Sequence, residues 1–422
     1  MSALLPVALS FAWYLLTMAT VYLVMPIRSA FLMVNFGPAV LPWTFMANAV
    51  TTGIVVWLYG RWAHLPRKKL VGGTLGVLWS TLIVWWVAVV AAPKVGWVSF
   101  LFSVWTDIFV IMAVTVLWST IDDIFSLKTA GQRYGLIASA GPLGAIVGSF
   151  VGKALIHRIG HSGLMLLAAG VFASVFPIFA ALDRWAASTG PKVKEAKPVR
   201  KLQSLSQFVE VGRAIARSRL LLLITAIACF ECVVPNLMTY ILNTAMALAY
   251  PKMEDMVEAF AVFFLWTNSI AFLVSIALTS VALRFLGVGG TMAACSLVSL
   301  GGFALFAAWP TLMATAVPKA LEDTLRFTWY RAAKESIYTV APREVVYRVK
   351  AHIEVFIYRM ASGGSGLLLL VLTGDRLLGL GPAAVALVGV PLAVGWTVAI
   401  LYLDRAFARM KEEPESIQES IP

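Results

Sequence analysis

Runs of roughly 20 apolar residues recur along this chain from one end to the other, and each is long enough to cross about 30 Å of hydrocarbon. Lipid offers no water to the backbone, so every N–H and C=O in such a run must be paired inside the protein. That leaves helices or a closed barrel. A barrel would show short segments of alternating polarity, and these runs do not alternate. Only 13% of the 422 residues are charged and 60% are hydrophobic, against about 25% charged in soluble domains. The expected fold class is therefore an all-α polytopic membrane protein.

About twelve helices are expected, near 8–35, 41–60, 70–92, 97–120, 134–157, 161–183, 219–244, 257–283, 288–308, 310–334, 350–374 and 380–403. One long polar stretch interrupts them. It contains STGPKVKEAKPVRK and reads as a linker, being rich in Lys, Pro and small residues. The expected organisation is an N-terminal six-helix bundle over 1–183, a basic linker over 184–218, a C-terminal six-helix bundle over 219–403 and a tail over 404–422. This is the 6+6 arrangement of major facilitators, two halves related as parallel repeats. An echo between the halves supports it: WSTIDDIFSLKTAGQRYG leads into a Gly-rich helix in the first, and KESIYTVAPREVVYRVKAHIEVFIYRM leads into SGGSG in the second. No basic stretch followed by a short apolar core and cleavage site opens the chain, so the first run is expected to stay as a helix.

The formal net charge is +12. A basic balance can signal nucleic-acid binding, but in a polytopic membrane protein basic loops mark the cytoplasmic side. Lys and Arg gather in 60–69, in the linker, in 326–350 and in the tail, all on one face if helices alternate in direction. The opposite face carries Lys94, Arg158, Lys252 and Arg376 together with Glu254, Asp255, Glu258 and Asp375. Both termini are therefore expected in the cytoplasm, with the chain in the inner membrane and no nucleic-acid partner.

A charge at the bilayer centre costs about 2.5–3.5 kcal/mol on insertion scales, so each buried one needs a partner or a wet cavity. Helix ten offers Lys319, Glu322, Asp323 and Arg326, whose spacings place them near one stripe. They form either a structural ion-pair ladder or a cavity wall whose pairs open and close. Helix eleven offers Lys350, Glu354 and, deeper, Arg359, which can fork onto a carboxylate or phosphate. Glu231 precedes Pro235 and Asn236 on helix seven, where proline can bend the helix. Asp107, Lys153 and Arg28 complete the set, Arg28 being either deep or snorkelling to the interface. Asp122, Asp123 and Arg133 in the first half, with Glu335, Arg343 and Lys350 in the second, stand at loop hinges and suit a cytoplasmic gate; a solvated loop is the plainer reading. Gly141, Gly144, Gly148 and Gly152 give small-xxx-small spacing, which permits close helix approach. His64, His157, His161 and His352 are scattered without ligand spacing, and Cys229 and Cys232 lie in an apolar helix with no second Cys/His pair. Nothing here implies a catalytic constellation, a metal or a cofactor.

PIRSAF, LPWTF, WSTIDDIF, GQRYGLIASAGPLGAIVGS and the Lys334–Met360 stretch together resemble the ATP/ADP translocase-type nucleotide transporter family, in its shorter bacterial branch. The resemblance implies a major facilitator fold and exchange of nucleotides, with basic residues binding phosphates. It matches Arg28 to the base of a P-x-R motif, Asp122, Asp123 and Arg133 to the first-half loop, and Lys334, Glu335, Arg343, Lys350 and Arg359 to the second. Ser29 stands where the family often has an acid, Glu354 where it often has Asp, and Met360–Ser362 where an acid often follows.

The expected function is secondary active transport of an organic anion, nucleotides among the candidates, by alternating access across the lipid bilayer. Arg28, Lys153, Lys319, Arg359 and Asn236 are the expected substrate contacts. Asp107, Glu231, Glu322, Asp323, Arg326 and Glu354 are the expected coupling or ion-pair switch groups, with a proton or a counter-substrate as driving partner. Two alternatives stand beside it: a proton-coupled exporter of amphipathic or lipid-like compounds, and a non-transporting membrane scaffold or sensor. A monomer is expected.

Overall fold

The computed structural model describes residues 4–62, 65–125, 130–189, 212–213, 215, 218–338 and 352–412. Helices follow one another: α1 Leu4–Phe36, α2 Leu41–Trp62, α3 Arg67–Ala91, α4 Gly96–Ile124, α5 Ala130–Ala173, α6 Val175–Thr189, α7 Arg219–Ala249, α8 Met253–Ala277, α9 Thr279–Ala308, α10 Leu312–Leu325, α11 Arg331–Tyr338, α12 Tyr358–Thr373 and α13 Pro382–Glu412. No strand occurs among the described residues. The chain is an all-α polytopic membrane protein, and large apolar side chains such as Trp97, Leu248 and Phe285 stand exposed on it, as a lipid-facing surface requires.

Two glycines divide what would otherwise be continuous helices. Gly160 in α5 has φ 67°, and Gly287 in α9 has φ 69°, a left-handed conformation that glycine enters without steric cost. At Gly160 the chain doubles back. Trp13 of α1 touches Phe179 edge-on at 5.6 Å, while Leu15, two residues on, meets Gly144. The legs on either side of Gly160 thus flank the same level of α1. The expected boundary between helices five and six falls at this turn.

Hydroxyls inside the legs bond back to their own helix. Thr20, Thr106 and Thr120 each donate to the carbonyl four residues before, which satisfies them without a partner helix.

The contacts divide the chain into two compact units. The first comprises Met1–Gly37, Ile54–Arg200 and Tyr250–Phe272. Its core gathers Trp13, Phe109, Phe172, Phe179 and Leu182. Helices α1 and α5 make its most extensive pairing. A Cβ at Gly144 would overlap the Leu15 carbonyl, and one at Gly148 the Ala19 carbonyl, so the two backbones touch as the small-residue spacing predicts. The second unit comprises Pro38–Gly53, Lys201–Ala249 and Leu273–Pro422. Here α9 packs on α13, α7 and α10, with Trp396 against Tyr330 at 5.5 Å. Both units mix segments from before and after the linker.

Two legs of the second unit are not plain α-helices. Between α10 and α11 the residues Arg326–Tyr330 form a π-helical turn, and His352–Ile357 form another before α12. Such turns add a residue to the helical repeat and are frequent at functional sites.

Candidate ion-pair site

In the first unit, Pro26 lies within α1 and Arg28 follows two residues later. The Arg28 guanidinium donates from Nη2 to Asp107 Oδ2 at 2.8 Å and from Nε to Ser103 Oγ at 2.9 Å. Ser103 and Asp107 are one turn apart on α4, so a single helix face presents both acceptors. The Arg28 and Asp107 side chains keep 17% and 23% of their surface. Arg28 is therefore partly buried and held by two polar groups of α4.

In the second unit the three charges of α10 form a ladder with Arg326 of the π-helical turn that continues it. Lys319 Nζ reaches Glu322 Oε2 at 2.6 Å and Asp323 Oδ1 at 2.8 Å. Arg326 Nη2 reaches Asp323 Oδ1 at 2.7 Å. Its Nε stands 3.0 Å from Glu322 Oε1, within ion-pair range but off-line for a hydrogen bond. Two cations and two anions cancel, and the side chains of Lys319 and Glu322 retain only 4% and 0% of their surface. Burying unpaired ions would cost several kcal/mol each. Spacings of three and four residues are what let one helix neutralise itself.

Glu231 of α7 accepts from Lys334 Nζ of α11 at 2.8 Å. This pair borders a small cavity lined by Ile224, Ile227, Ala228, Met292 and Leu403. One turn beyond Glu231, Asn236 Nδ2 donates to Ser365 Oγ of α12 at 2.7 Å. Lys334, expected as a loop base, is thus the partner that Glu231 required.

The remaining expected residues are less drawn together. Lys153 is exposed, not buried with the pairs, as a lysine near a helix end can be when it snorkels. Arg359 is half-buried on α12, and no carboxylate pairs with it among the described residues. Tyr134 donates to Asp122 Oδ1 at 3.0 Å at the end of α4; Asp123 is exposed beside it, and Glu335 is exposed on α11. Arg343 and Lys350 lie outside the described residues, as do the side chains of Arg133 and Glu354. The sequence reading missed Arg67 and Asp183, which pair at 2.9 Å. Asp183 sits at the end of an apolar run and Arg67 in a basic cluster, so neither looked unusual alone.

No family model matches the sequence, and no curated protein matches it. Solved structures do. The POT family transporter PepTSo superposes with a TM-score of 0.69 at 11% identity, covering 96% of this chain and 98% of that one. The nucleoside transporter NupG gives 0.63 at 14%, covering 95% and 98%. A bacterial homologue of the iron transporter ferroportin, in an inward-facing state, gives 0.65 at 12%, covering 94% and 98%. The likeness extends over nearly the full length of the chain at low sequence identity. The chain has the major facilitator-type fold of these transporters.

Proposed function

We propose that the chain is a secondary active transporter that moves a small organic anion by alternating access between its halves 1–183 and 219–403. It would sit in the inner membrane with both termini in the cytoplasm, where the basic loops belong. The observation that carries the reading is the Arg28–Asp107 pair. It is buried enough to be strong and open enough to be exchanged, with side chains at 17% and 23% exposure. An anion arriving at Arg28 can take the place of Asp107, because a guanidinium forks onto carboxylate and phosphate alike. Arg359 is a second anion contact in this reading. Lys319 is not: its full burial under Glu322 and Asp323 suits a structural tie. Nucleotides remain candidates on the strength of the sequence resemblance.

Glu231 with Lys334, beside an apolar cavity, favours a second reading, export of amphipathic compounds driven by protonation of Glu231. Thermal-shift measurements on the purified protein separate the two. A ligand at a hundredfold excess over Kd stabilises by about 2.7 kcal/mol. Stabilisation by nucleotides or other organic anions, lost in Arg28→Ala, supports the first reading. Stabilisation by neutral or cationic amphipathic compounds alone, unchanged in Arg28→Ala, ends it.

A further inference from the structure

A separate set of ionisable groups lies at the Gly160 turn. His157 closes the first leg of α5 and His161 opens the second, with Gly160 between them. Facing them are Glu254 and Glu258, one turn apart in the first two turns of α8. His157 Nε2 is 2.9 Å from Glu258 Oε2, and His161 Nδ1 is 3.3 Å from Glu254 Oε1. The numbers run in opposite directions, as two antiparallel rungs require. The left-handed glycine is what returns His161 to the level of Glu254. All four residues belong to the first compact unit, yet α5 precedes the linker and α8 follows it. The rungs therefore tie helices from different sequence halves at the end of the legs remote from the linker.

Helix α8 also touches α1 and the first leg of α5. Phe264 packs on Tyr22 at 5.5 Å, and Ala261 lies by Gly152. The other ionisable groups on the elements around the rungs are sparse. They are Lys153 and Arg158 on α5, with Arg133 and Tyr134 at its far end, Asp255 on α8, Tyr250 and Lys252 before it, and Tyr14 and Tyr22 on α1. Arg28 on α1 is already held by Asp107, and Lys94 follows α3, whose second half carries no titratable side chain. No group of three metal-ligating side chains forms among the described residues.

We infer that His157–Glu258 and His161–Glu254 are a two-proton binding site that ties α8 to α5 when occupied. A neutral imidazole facing a carboxylate offers one ordinary hydrogen bond. A protonated one adds a charge-assisted bond, and histidine is the side chain that makes this change between pH 5 and 8. The tie tightens as pH falls and slackens as it rises. In the transporter reading, on which this consequence alone rests, acid on the side remote from the linker holds that end shut.

Hydrogen–deuterium exchange on the full chain in lipid nanodiscs with EDTA tests it, at about pH 5.5 and about pH 8 and corrected for chemical exchange. Peptides covering 157–161 and 254–258 should be protected about two- to fivefold more at low pH, the scale of two partly exposed ion pairs. His157→Gln with His161→Gln should abolish that difference, and so should Glu254→Gln with Glu258→Gln. Peptides within 312–325 serve as the folding control and should not change. Equal corrected protection at both pH values in the unaltered chain overturns the proposal. So does a pH difference that survives in both double variants. Neither outcome bears on whether a solute is carried.

Discussion

The ladder on α10 and the rungs at the Gly160 turn use the same chemistry in opposite surroundings. Both set two bases against two acids at spacings of about one turn. Glu322 has no exposed surface and Lys319 almost none, whereas His157 and Glu258 keep 49% and 37%. In the ladder, water cannot replace a partner lost at Lys319 or Glu322, so those two charges depend on each other and on the flanking Asp323 and Arg326. At the turn, water and salt compete for every rung, so each contributes little and can be switched. Burial, not residue type, decides which ion pair is a fixture and which is a control.

Breaking the ladder should have the largest effect. Glu322→Ala leaves Lys319 and Arg326 sharing one buried acid, and should cost about 3–5 kcal/mol, seen as loss of folded yield and a lowered unfolding temperature in detergent. An unchanged unfolding temperature would mean that water reaches the ladder. Replacing Lys319 and Glu322 together by methionine removes one charge of each sign. That double variant should be more stable than Glu322→Ala, because no ion is left uncompensated, and a thermodynamic cycle would measure the coupling. The partly buried Arg28–Asp107 pair should fall between the extremes. Arg28→Ala should cost about 1–3 kcal/mol, and Asp107→Asn less, since an amide oxygen can still accept from the guanidinium. The smallest effect belongs to the turn. Glu258→Gln should cost less than about 1 kcal/mol, and the difference should vanish in 1 M salt, where the screening length falls to about 3 Å. The Glu322→Ala penalty should persist in the same salt.

Legibility in the sequence followed a similar divide. Apolar length alone predicted the legs, and the turn at Gly160 fell where a helix boundary was expected between 157 and 161. The α10 ladder was legible because both halves of each pair sit on one helix, three or four residues apart. Small-residue spacing in α5 predicted close approach, although it could not say that α1 was the neighbour. The π-helical turns at Arg326–Tyr330 and His352–Ile357 left no sign, since an extra residue in the repeat does not alter composition. His157 and His161 looked inert because their acids lie on another helix, about a hundred residues away in sequence.

By itself the sequence determined that this chain is helical, that it crosses lipid repeatedly, and which charges must find compensation, because hydrocarbon penalises every unpaired polar group wherever it falls. Only the tertiary structure decided who compensates whom: Asp107 for Arg28, Lys334 for Glu231, Glu258 for His157. Desolvation is a property of each residue in its own segment, whereas pairing depends on which segments meet, and that is settled by the packing of the legs.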